Sequence, residues 1–165
     1  MTPSADEPTR RPPGLAQTVR ERRDVLAVIA AGGALGSAAR WALGTALPHR
    51  PGELPVATWL ENVTGAAALG VLMVLVTEVW PARRYVRPFW GVGVLGGYTT
   101  FSTYMLDTHA LFLAGRPLTA VGYSLGTLLT GLPAAWAGIA VARALTTRST
   151  RRAARRGRHT TGREQ

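Results

Sequence analysis

Four hydroxyl side chains, Thr99, Thr100, Ser102 and Thr103, fall within five residues just after the pair Gly96-Gly97. The surrounding sequence is apolar. Neutral donors at this density suit a small anion better than a bulky cation. A lone Thr in an apolar helix ordinarily hydrogen-bonds back to its own carbonyls, but a run of four is not explained that way. Phe101 and Tyr104 are three residues apart and can share a helical face. An aromatic ring has a positive edge and a negative face, so rings presented edge-on can meet an anion without trapping it strongly. Other polar residues in apolar surroundings are Arg40, Thr58, Glu61, Asn62 and Thr64, then Asp107, Ser124, Thr127 and Thr130. Polar groups at membrane depth are functional candidates.

The elements that must hold these groups are read from the hydrophobic runs. The chain has 165 residues and a formal charge of +10, with Arg as its only strongly basic residue type. Stretches 25–47, 56–80, 88–114 and 118–144 each carry at most two charges. A membrane helix needs about 20 apolar residues, and all four meet that length. The segments PHRPGELP, PARRYVR and GRP between them are short and turn-rich. The reading is an all-α integral membrane domain over 25–145. A soluble bundle would need polar outer faces at helical spacing, and AAALGVLMVLV and GTLLTGLPAAWAGIAVA offer none. Residues 1–24 are polar and Pro-rich. Residues 146–165 hold seven Arg against one acid. Both tails are expected to be disordered.

Small residues let membrane helices approach closely. The first segment reads AAGGALGSAARW, the second contains GAAALG, and the fourth carries Gly122, Gly126, Gly131 and Gly138. Spacings such as Gly33–Ser37 and Gly122–Gly126 suit close helix contacts. Trp59, Trp80, Tyr85, Phe89 and Trp90 lie near segment ends, as an interfacial belt would. The third segment is the poorest helix. Gly-Gly followed by Thr-Thr disfavours helix continuity, which predicts an interruption around Gly96–Ser102. A break at membrane depth must have its exposed backbone groups satisfied by protein or by an ion. Freed carbonyls favour a cation, and freed amides and hydroxyls favour an anion.

Arg placement predicts orientation. With both termini inside, sixteen Arg fall on the inner side and two, Arg50 and Arg116, on the outer side. The Arg-rich tail then sits on anionic headgroups, so no nucleic-acid partner is needed. The absence of Cys removes a disulfide scaffold, a thiol nucleophile and a Cys-ligated metal site. His49, His109 and His159 are too scattered to suggest zinc, and no His–carboxylate or nucleophile–base arrangement points to an enzyme.

Three motifs, GGALGSAARW, TWLENVTG and GVLGGYTTFSTY, occur in that order, one in each of the first three of the four segments. Together, over about residues 26–144, they resemble the Fluc (CrcB) family of fluoride channels. The resemblance implies a passive, fluoride-selective channel in the plasma membrane that expels toxic fluoride, built as an antiparallel dimer with two pores and a central structural sodium ion. By motif, Gly96 and Thr99 would give carbonyl oxygens to the sodium. Phe101 and Tyr104 match two pore-lining phenylalanines, and Asn62 matches a pore-associated Asn. Thr58, Ser102 and Thr103 would belong to the polar track. Asp107 falls where a Glu is common, and Tyr123 and Thr127 resemble a Tyr…Ser pattern in the fourth span. Arg40 matches the Arg that ends the first motif and is read as structural or vestibular.

Three departures stand out. Tyr104 adds a hydroxyl to the matched Phe, and Thr127 adds a methyl to the matched Ser. Glu61 stands where an aliphatic residue is usual. An ionised Glu61 on the anion path would repel fluoride, so Glu61 is expected to face the headgroups or a neighbouring helix. The Arg imbalance further suggests one fixed orientation and pairing with an oppositely oriented paralogue. The competing reading, a small multidrug-type four-helix exporter, wants a carboxylate in the first span, and 25–47 has none.

Overall fold

The computed structural model describes the backbone of residues 22–81 and 83–161, and side chains through residue 147. The described residues are helical or in turns and loops, with no strand. Helix α1 is Arg23–Ala46 and α2 is Val56–Val74, which widens into a π-helical turn over Leu75–Val79. A second π-helical stretch covers Arg87–Leu95 and runs into the short α3, Gly96–Tyr98. Thr99 and Thr100 are extended, with φ/ψ of −82/154° and −146/127°. Helix α4, Phe101–Leu113, follows, and α5 is Pro117–Thr161.

Three of these helices are long and apolar enough to cross a membrane: Arg23–Ala46, Val56–Val79 and Pro117–Thr147. Stretch 88–114 supplies no single helix of that length, because the two extended residues divide it. Large apolar side chains, among them Trp41, Leu113, Leu118 and Trp136, lie exposed on the outer surface. Water would oppose such a surface, and hydrocarbon would not.

Helix α2 packs chiefly on α5, and α1 packs on the π-helical stretch. Both contacts depend on glycine. A Cβ at Gly70 would collide with the carbonyl oxygen of Ala135, and one at Gly138 with that of Ala67. Likewise a Cβ at Gly32 would meet the Phe89 carbonyl, and one at Gly36 the Val94 carbonyl. Backbones in contact leave no room for even a methyl group. The expectation for α5 holds only in part: Gly138 is in close contact, whereas Gly122, Gly126 and Gly131 face open space. Gly33 also has open space beside it, although its carbonyl closely approaches Gly97.

Polar contacts tie the elements together at both ends. Tyr85 Oη donates to Asp24 Oδ2 at 2.6 Å, Arg84 pairs with the same oxygen at 2.9 Å, and Arg143 Nε donates to Glu78 Oε1 at 3.0 Å. The bond to Asp24 holds the Tyr85 phenol above its ordinary pKa. At the opposite end, Arg116 Nη1 donates to the Gly52 carbonyl and joins the first and third connections. Gly52 and Gly115 turn these connections at positive φ, 88° and 70°, a region open to Gly.

Two tail expectations meet the structure differently. Residues 1–21 lie outside the described residues, while Arg23 and Asp24 already belong to α1. Disorder was expected from residue 146, but α5 continues to Thr161. Arg and Ala are strong helix formers, so low hydrophobicity did not by itself end the helix. Residues 162–165 lie outside the described residues.

Candidate functional site

The break between α3 and α4 is held by one side chain. Asn62 on α2 accepts from the Thr100 amide through Oδ1 at 2.9 Å and donates from Nδ2 to the Thr100 carbonyl at 3.0 Å. The carboxamide thus mimics a neighbouring strand and satisfies both backbone groups of an extended residue. One Asn N–H and one lone pair remain for another partner. Thr100 also caps α4, its Oγ1 accepting from the Thr103 amide at 3.2 Å and donating to Thr103 Oγ1 at 3.1 Å.

These bonds redirect two amides. In a continuous helix the Thr100 amide would bond the Gly96 carbonyl and the Thr103 amide the Thr99 carbonyl. Here they go to Asn62 and to the Thr100 hydroxyl. The carbonyls of Gly96 and Thr99 are therefore released from the helical ladder. Thr99 Oγ1 donates to the Leu95 carbonyl at 2.8 Å, which turns its hydroxyl back along α3.

A groove of about 560 Å³ opens beside the break, lined by Asn62, Thr99, Thr100, Phe101, Tyr104 and Thr127 among others. Phe101 is 76% exposed on its outer side. Its ring centroid lies 5.9 Å from that of Tyr104, tilted by 41°, and Tyr104 lies 5.4 Å from Tyr123. Tyr104 Oη donates to the Ser124 carbonyl at 3.2 Å, so the hydroxyl that departs from the Phe pattern is directed to α5. The Thr127 hydroxyl donates to its own helix at Tyr123. Tyr123 is buried, and among the described residues its hydroxyl has no hydrogen-bond partner.

Thr58 and Thr103 line a separate cavity of about 480 Å³, with Ser37, Arg40, His49 and Glu61. Thr58 Oγ1 donates to Asp107 Oδ2 at 2.7 Å, and His49 Nε2 lies 3.4 Å from Asp107 Oδ1. Ser102 lines neither space; its hydroxyl lies 3.3 Å from that of Thr100.

Of the two expectations for Glu61, the neighbouring helix holds and the headgroups do not: it is only 3% exposed and lines this second cavity with Arg40 of α1. Its position one helical turn beyond Thr58 aims both residues at the same space. Trp59 also departs from the belt reading: its Nε1 donates to Thr130 Oγ1 on α5 at 3.1 Å. The sequence reading saw no His–carboxylate pair, yet His49 and Asp107 form one. They come from distant segments with no fixed spacing, so no local signal announced the contact. Thr100 was noticed only as one of four hydroxyls, although its backbone is the centre of the site.

The chain matches, over residues 27–139, the family described as CrcB-like protein, Camphor Resistance (CrcB). It is 48% identical over 139 residues to "Fluoride-specific ion channel FluC 3" of Streptomyces avermitilis, covering 84% of this chain and 68% of that protein. It is 50% identical over 119 residues to "Fluoride-specific ion channel FluC 2" of Nocardia farcinica, covering 72% and 85%. A second protein of Streptomyces avermitilis, named FluC 2, is 48% identical over 124 residues, covering 70% and 78%. Given this match and three membrane-capable helices, the chain is a multi-pass membrane protein belonging to the CrcB family.

Proposed function

We propose that this protein is a fluoride-selective channel through which cytoplasmic fluoride leaves the cell down its gradient. The observation that carries the reading is the groove beside the break, where Phe101 and Tyr104 flank neutral amide and hydroxyl groups. Such a surface can meet a small anion through the spare Asn62 N–H and the ring edges, without a fixed cation that would trap it. The names of the relatives point to the same ion. An exporter of organic cations is not favoured: no carboxylate lies in 25–47, and Asp24, at the start of α1, is engaged by Tyr85 and Arg84.

In this reading 88–114 is a fourth crossing, interrupted at the break, and two subunits pack in opposite orientations. The exposed Phe101 would then face the partner. The Gly96 and Thr99 carbonyls, both released from the helix, suit a small hard cation. They would hold a structural sodium at the centre of the dimer, where it would neutralise the exposed dipoles. Asn62 positions them by fixing Thr100. Thr58, Ser102, Thr103 and Thr127 would continue the polar track along which fluoride moves.

The Arg distribution supports a cell-membrane protein with both termini in the cytoplasm. That single orientation calls for an oppositely oriented paralogue as partner, and Streptomyces avermitilis carries relatives named FluC 2 and FluC 3. The test is fluoride efflux from liposomes, with this chain alone and with a coexpressed paralogue. Phe101→Ile is expected to slow efflux strongly while assembly persists. Unchanged efflux would place the path elsewhere.

A further inference from the structure

The second cavity gathers charges that the neutral groove lacks. Arg40 comes from α1, Glu61 from α2, and His49 from the connection between them. Asp107, on α4, meets this cavity through Thr58 and His49. Its two carboxylate oxygens are both engaged, one by the Thr58 hydroxyl and one by the imidazole. His49 is the more open partner, its side chain 30% exposed against 12% for Asp107. The cavity and the groove share a wall at Thr103, which lines the cavity and accepts a hydrogen bond from Thr100 in the groove.

The formal charges decide what this arrangement does to an anion. Arg40 contributes one positive charge, and Glu61 and Asp107 contribute two negative charges. With His49 neutral the cluster is net negative and opposes anion entry. With His49 protonated it is balanced, and the added positive charge sits on the imidazole beside Asp107, the more exposed partner of the pair. The loop charges Arg50, Glu53 and Arg116 do not line the cavity; Glu53 accepts from the Arg50 amide, and Arg116 reaches the Gly52 carbonyl. His109, further along α4, is exposed and does not line the cavity.

We propose that this cluster is a proton-operated antechamber of the conduction path, in which His49 sets the charge met by an entering small anion. The inference rests on the channel reading above and adds a pH dependence to it. Histidine is the side chain whose ordinary titration crosses the physiological range. Anion flux through this mouth is larger with His49 protonated than with it neutral, and so is larger at low pH than at high pH.

The experiment is fluoride efflux from liposomes holding the full chain, with its partner where one is required, at matched internal and external pH. Flux from protein-free liposomes, carried by hydrogen fluoride, is subtracted at each pH. Between about pH 5.5 and pH 7.5 the wild-type flux is expected to fall about three- to tenfold, the size of one added charge at short range in a wet mouth. His49→Gln is expected to be slow at every pH. His49→Arg, which keeps the positive charge, is expected to be fast at every pH. His109→Gln is expected to retain the wild-type profile. A flat wild-type profile, a full pH response in His49→Gln, or loss of the response in His109→Gln instead would overturn the antechamber alone. Absence of protein-dependent flux at all pH values would overturn the channel reading and the antechamber with it.

Discussion

Replacing Asn62 with Ala removes both bonds that hold the extended Thr100 backbone. Thr100 is buried, so water has little access to the orphaned groups. Each orphaned backbone group costs about 1–3 kcal/mol, and two give a destabilisation of about 2–6 kcal/mol. The gain from placing Ala in a helix is smaller, about 0.7 kcal/mol or less. Asn62→Asp keeps an acceptor for the Thr100 amide but sets a carboxylate oxygen against its carbonyl, so it is expected to behave like Ala rather than like the wild type. The comparison variant is Thr45→Ala. The Thr45 hydroxyl bonds only to its own exposed helix, at Trp41 and Ala42, and its loss is expected to cost within about 0.5 kcal/mol. Denaturant unfolding in detergent micelles reads the stabilities, and amide exchange at Thr100 reads the bond itself. Fluoride efflux should fall with both Asn62 variants because the groove loses its fixed wall. An Asn62→Ala protein within about 0.5 kcal/mol of wild type, with the Thr100 amide still protected, would refute the role assigned to this side chain.

Gly70→Ala or Gly138→Ala drives a methyl into the facing backbone and is expected to destabilise the α2–α5 contact by about 1–3 kcal/mol. Gly122→Ala meets open space and should leave that contact intact. Disulfide crosslinking between cysteines introduced on α2 and α5 reads both, in a chain with no native Cys. Thr58→Val keeps the shape but removes the donor to Asp107, with an expected loss of about 1–3 kcal/mol in the same unfolding assay. At high pH, Tyr85 should ionise above an ordinary tyrosine, because its proton is held by Asp24. The bond therefore contributes below the ordinary tyrosine pKa and is lost as pH rises through the raised one. Ultraviolet titration of wild type against Tyr85→Phe should show the missing phenol at the upper end of the curve.

Several features were legible in the residues themselves. Long apolar runs can satisfy their backbone only as helices in lipid, so 25–47 and 56–80 marked two of the helices within a residue or two at each end. The start of the last helix was equally plain, but its end was not: composition said that 146–165 cannot build a core, which is different from saying that it cannot be helical. Gly-Gly before Thr-Thr signalled poor helix continuity because both intrinsic propensity and side-chain competition act locally. The motif order identified the family for the same reason that it is specific: each short run does a distinct job on a distinct element.

Only the tertiary structure decided which partners those local features found. Asn62 could be named from its motif, but its grip on Thr100 depends on the distance between α2 and the break. Among similar glycines, Gly138 is pressed against a backbone while Gly122 is open, a difference set by where α2 crosses α5 and not by spacing along α5. Which of its two expected surroundings Glu61 takes, and that His49 meets Asp107, could not be read from the chain because burial and ion pairing arise between segments far apart in it. Propensity and hydropathy act over one or two helical turns, and the sequence therefore determined the elements and their type. Charge and hydrogen bonding across the fold act through space, and so the contacts that make a site were decided only when the helices packed.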